Sequence, residues 1–165
     1  MKKILLLITS FFILIHISSC AGYKPIFDST NLNFEIAKHT INGEKKLGNK
    51  IYSKLYGVSN LNKNNVASKS IEISINVSKN KVATIKNNAG KILEYRINIS
   101  TNIIVNDFLE NKEILNQNFD YSSSYKVQEQ HFETVNLENK ATEDLIEKTY
   151  QDCLIKISEI IGTKW

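Results

Sequence analysis

Proline occurs once and glycine six times in 165 residues, too sparsely for a long flexible or low-complexity chain. Two cysteines, Cys20 and Cys153, cannot build a disulfide framework. Arg96 is the only arginine among 21 basic residues, set against 17 acidic ones. An excess of +4 carried almost wholly by lysine excludes a basic nucleic-acid binder, because bidentate recognition of bases and phosphates depends on the guanidinium fork. Without Lys2 and Lys3 the balance falls to 19 against 17. Histidine is equally scarce: His16 lies in an apolar N-terminal run, and His39 and His131 belong to no motif. There is no HExxH, no GxSxG, no glycine-rich phosphate loop and no Cys/His cluster at zinc spacing, so the expectation is a protein without catalytic apparatus, cofactor or metal. Glu143 and Asp144 are neighbours on a predicted helix and face different directions, which suits the helix dipole better than paired acid–base work. The length allows one domain and is too short for two ordinary ones. With 42% apolar residues that domain can build a core.

What is present begins with the N-terminus. Lys2 and Lys3 precede an apolar run from Ile4 to Ile17, about 14 residues where a membrane span needs about 20. The run has the length of a signal-peptide core. Ile17-Ser18-Ser19-Cys20 resembles the lipobox of bacterial lipoproteins: an aliphatic residue, two small ones, then the cysteine whose thiol is alkylated with diacylglycerol before cleavage. The expected organisation is a signal peptide over 1–19, a lipidated tether over 20–30 containing Pro25, and a single domain over 31–165. Ala21 stands where an aspartate often retains lipoproteins in the inner membrane, so the expected location is the outer membrane, lipid-anchored on its periplasmic side. Diacyl and N-acyl (palmitate-type) chains together exceed what stable attachment requires.

Beyond the tether the periodicities are legible. Leu32, Phe34 and Ile36 alternate with polar residues as in a half-buried strand. Asn42-Gly43 marks a turn, and Leu47, Ile51 and Leu55 then recur every four residues among lysines, predicting an amphipathic helix that ends near Gly57. A polar connector runs from Leu61 to Ser68. Ile71, Ile73, Ile75 and Val77, and later Leu93 to Val105, place apolar residues at odd positions. For odd positions in both strands to face one side, paired residues must have numbers with an even sum. A three-residue loop, Asn88-Ala89-Gly90, satisfies this, with Gly90 at its left-handed position; it pairs Ile75 with Ile103 and Val77 with Thr101. After a turn over 106–112, a fourth strand carries Leu115, Phe119, Tyr121, Tyr125 and Val127 on the same face. Asn136 is the predicted N-cap of a last helix, whose apolar stripe runs from Leu137 to Ile161 and ends at Gly162. The expected fold is α+β in the order β-α-β-β-β-α: a two-layer sandwich with a mixed four-stranded sheet and both helices on one face.

Cys20-Ala21-Gly22-Tyr23-Lys24-Pro25-Ile26-Phe27 resembles the opening of mature LptE, the lipopolysaccharide-assembly lipoprotein. In that family the lipidated cysteine is closely followed by glycine, an aromatic, a variable residue, proline and an apolar-aromatic pair; here Ala21 is inserted. The order of elements, and the strand Phe119-Asp120-Tyr121-Ser122-Ser123-Ser124-Tyr125, are similar too. The resemblance implies an accessory subunit and not an enzyme, one that plugs the LptD outer-membrane barrel, assists its assembly and binds lipopolysaccharide. Lys79, Lys81, Lys86, Lys91 and Arg96 surround the predicted hairpin tip, with Lys79 and Lys81 opposite Ile99 and Ile97. Cations beside apolar surface make these five the candidate contacts for a phosphorylated, acylated ligand.

Overall fold

The structure is a computed structural model and describes residues 34–59 and 68–162. The signal peptide, Cys20, the tether, Leu32 and nearly all of the Leu61–Ser68 connector lie outside the described residues. Strand β1 spans Phe34–Gly43, helix α1 Lys45–Ser59, β2 Lys69–Lys86, β3 Ile92–Asp107, β4 Glu113–Lys126 and helix α2 His131–Gly162. The strands form one sheet in the order β1-β2-β3-β4, with β1 parallel to β2 and the other pairs antiparallel. Both helices pack on the same face, α1 over β1 and β2, α2 over β3 and β4. The α+β two-layer arrangement expected from the periodicities is the one observed.

Odd-numbered residues of β2 to β4 form the buried face. Ile71, Ile73, Ile75, Val77, Ile97 and Ile103 have no accessible surface. The hairpin register follows from parity: Ile75 pairs with Ile103, Val77 with Thr101, Lys79 with Ile99 and Lys81 with Ile97. The tip closes as a three-residue loop, where the Asn87 N–H donates to the Lys91 carbonyl at 2.9 Å and Gly90 adopts φ +80°, a conformation open to glycine at no steric cost. Two irregularities near Thr84 and Leu93 cancel, so the pairing enters the tip in its original phase.

β1 behaves differently. Phe34 and Ile36 are buried, then a bulge at Ala37 shifts the pairing so that His39 and Ile41 stand opposite Ile73 and Ile75. One extra residue reverses which positions face inward. This explains why the sequence alternation stops after Ile36.

Two helix boundaries differ from expectation. α1 runs past Gly57 to Ser59, because Gly57 is exposed, with open space around its Cα, and the buried positions Ile51, Leu55 and Ser59 hold the last turn. α2 begins at His131, so Asn136 lies in its second turn and caps nothing. The first turn carries exposed Phe132 and half-exposed Val135, with Thr134 as its buried residue, so no apolar stripe announces it. At 32 residues the helix is about 48 Å long and packs along β4 and β3.

Candidate functional site

Lys79 and Lys81 occupy odd positions of β2 beyond the end of its apolar run, so their side chains rise on the helix side of the sheet. There they meet Glu138, in the second turn of α2. Lys81 Nζ donates to Glu138 Oε2 at 2.6 Å and Lys79 Nζ to Oε1 at 3.2 Å, while the Tyr125 hydroxyl donates to Oε2 at 2.9 Å. Lys81 also sits over the ring of Tyr95, 4.3 Å from its centroid, and Tyr95 pairs directly with Tyr125 across β3 and β4. Desolvation pushes the Glu138 carboxyl up, but the hydrogen bonds from Lys81, Tyr125 and Lys79 outweigh it and hold its pKa down at about 2. The bond to Glu138, and after it the Tyr125 hydroxyl alongside, raise the Lys81 ammonium above the ordinary lysine value. Both groups are charged at neutral pH. Lys79 and Lys81 are therefore engaged on an internal carboxylate rather than standing free at a hairpin tip.

The other three candidates separate. Lys91 lines a cavity of about 370 Å³ together with Lys81, Tyr95, His131, Val135 and Glu138. This cavity lies where the hairpin, the end of β4 and the start of α2 meet. Lys86 is exposed at the tip. Arg96 points to the opposite face of the sheet, where its Nε donates to Ser124 Oγ at 3.4 Å. The five residues do not form one cluster: two are ion-paired under α2, one shares a cavity with Lys81, and two stand apart. Apolar side chains keep company with this end, since Val82, Ile85, Leu93 and Phe132 are exposed.

α2 also engages lysines of α1. Lys50 and Lys54 of α1 form ion pairs with Glu143 and Glu147, the second at 2.7 Å, and Lys54 lies over the Tyr150 ring. Glu143 is thus in the fourth turn of α2 as a bridge to α1, not near the positive helix end, which carries Glu133 instead. His39 is exposed and stacks on Tyr52, with ring centroids 3.9 Å apart. Burial, and the hydroxyl's bond to Asp152, push Tyr121 up to about 12. The aromatics of the Phe119–Tyr125 strand thus face α2, while Ser122 and Ser124 face the helix-free side.

That helix-free side is a polar surface. Asn42, Asn76, Asn102 and Asn118 stand side by side in one row across all four strands. Asn102 Nδ2 donates to the side-chain oxygens of Asn118 at 2.7 Å and Asn116 at 3.2 Å. In the next row Ser100 bonds Asp120. Strand alternation would have revealed this row once the register was known. Among the described residues no group of three His, Cys, Asp or Glu side chains is arranged to hold a metal, and no helix is long and apolar enough to cross a membrane.

No family model matches the chain, and no curated protein matches it in sequence. Solved structures do match its fold. Rare lipoprotein B from Shewanella oneidensis superposes with a TM-score of 0.52 at 14% identity, over 74% of this chain and 94% of that one. Lipoprotein B from Nitrosomonas europaea gives 0.56 at 16% identity, over 86% of this chain and 92% of that one. The chain has the lipoprotein B fold.

Proposed function

We propose that this chain is a non-enzymatic outer-membrane lipoprotein of the LptE kind. It is anchored through Cys20 on the periplasmic side, plugs the LptD barrel, helps that barrel assemble, and binds lipopolysaccharide during delivery to the outer leaflet. One coincidence carries the reading: an LptE-like opening, Cys20 to Phe27, precedes a domain with the fold of bacterial lipoproteins. The asparagine and serine surface of the sheet supports it, because barrel interiors are polar and offer hydrogen-bond partners. The end that combines Lys81, Lys91 and a cavity with exposed Ile85, Leu93 and Phe132 suits a ligand bearing both phosphates and acyl chains.

The deciding experiment is purification from outer membranes with the anchor intact. Stable one-to-one recovery with LptD is expected; recovery with another envelope complex, or alone, overturns the reading. Mass spectrometry of the same material should find the mature chain beginning at a triacylated Cys20. For the ligand, reversal of Lys86 and Lys91 to Glu is the informative variant. Reversing Lys79 and Lys81 as well would set two new carboxylates against Glu138, so lost binding could not be told from lost structure. The Lys86→Glu/Lys91→Glu protein should bind lipopolysaccharide more weakly at low salt and show a smaller salt dependence.

A further inference from the structure

The end of the sheet opposite the hairpin carries an apolar turn. Between β3 and β4, Leu109 is 81% exposed and Phe108 42%. Their exposure is built in. Asp107 Oδ1 accepts the N–H groups of Leu109 at 2.9 Å and Glu110 at 3.0 Å, and the Asp107 N–H donates to the Lys112 carbonyl at 2.8 Å. Lys69 holds the second carboxylate oxygen at 3.1 Å. A turn clamped on both sides therefore keeps two adjacent large apolar side chains in water, and neither belongs to the core.

The topology brings this turn next to the point where the tether joins the domain. Phe34, the first described residue, pairs with Lys69, and the Phe108 N–H donates to the carbonyl of Ser70 at 3.0 Å. The chain thus enters the sheet two strands from Phe108, about 10 Å away. Thirteen residues, 21–33, separate Cys20 from Phe34 and reach at most about 45 Å when extended. The hairpin tip stands at the other end of β3, whose 16 residues span about 50 Å.

We propose that, in the anchored chain before it enters a barrel, the Phe108–Leu109 turn is a lipid-contact tip, which lies in the headgroup region of the membrane that holds the anchor and so orients the domain with its hairpin end pointing away. The proposal rests on the lipidation of Cys20. Its chemistry is apolar: Asp107, Glu110 and Glu113 around the turn outnumber Lys69 and Lys112, so attraction to anionic lipid plays no part. Two side chains are too few to hold a domain on a bilayer alone. A covalent anchor makes the encounter intramolecular, and a weak contact then suffices.

The test uses the full mature chain, lipidated, in vesicles of phosphatidylethanolamine and phosphatidylglycerol with brominated acyl chains and no other protein. Leu109→Trp in a Trp165→Phe background should shift its emission to the blue on vesicle binding and lose most of its intensity to the brominated chains. Ile85→Trp in the same background should keep its intensity. A chain that binds vesicles while the Leu109→Trp indole stays unquenched overturns the tip and leaves the anchor standing. Equal quenching at both positions overturns the orientation. An indole at 109 already blue-shifted without vesicles means that the protein itself covers the turn. Mass spectrometry that finds no acyl groups on the natural mature chain removes the anchor and the tip together.

Discussion

Glu138 draws Lys79, Lys81 and Tyr125 onto one carboxylate, and Glu138→Gln removes its charge while keeping its shape. The carboxyl pKa is held at about 2 against a reference of 4.5. At about 1.4 kcal/mol per pH unit the difference bounds the contribution at roughly 3–4 kcal/mol. Nearly a quarter of the side chain is exposed (23%), and solvent screening brings the expected loss to about 1–2 kcal/mol. The sign follows from the depressed pKa. The stabilisation is fully present above pH 4.5 and disappears as the pH falls towards 2, because protonation leaves the two lysines without their counter-charge. Urea denaturation of both proteins from pH 7 down to pH 3 should therefore give midpoints that differ at neutral pH and converge in acid. Equal stability at pH 7, or a gap that stays constant down to pH 3, would refute the idea that the carboxylate charge joins the hairpin to α2.

Thr101 is fully buried between Val77 and Phe119, and its hydroxyl has no hydrogen-bond partner among the described residues. Thr101→Val keeps the shape and removes the stranded group, so it should stabilise the domain by about 1 kcal/mol, read as a higher urea midpoint at unchanged slope. Ile75→Ala and Ile97→Ala, each at a site with no accessible surface, should cost about 2–5 kcal/mol apiece in the same assay; a loss under about 0.5 kcal/mol would mean that the site is not packed.

How much of this could be read from the chain depends on the distance between partners. Strand register was legible because it needs only alternation and a loop count, and Ile75 and Ile103 meet where the parity of their numbers puts them. Both errors at helix ends arose where packing overrides local signals. Gly57 looks like a stop but sits in open space on an otherwise anchored helix. The first turn of α2 has its apolar residues outside, so the apolar periodicity begins six residues late, at Leu137. The site was hardest of all. Lys79 and Lys81 were found as cations at odd positions, but the carboxylate they serve lies 57 residues beyond Lys81. Nothing in a single strand records which turn of a distant helix will lie above it.

Cys153 lies wholly within the core on α2, and burial pushes its thiol up to about 12. Thiol–disulfide exchange requires a thiolate and an open line of attack, and this sulfur has neither. The folded domain can therefore reside in an oxidising compartment with an unpaired cysteine and still form no mixed disulfides or dimers through it. For the same reason alkylating reagents should leave the native domain untouched and mark Cys153 only as the core opens, which makes that residue a built-in reporter of global unfolding.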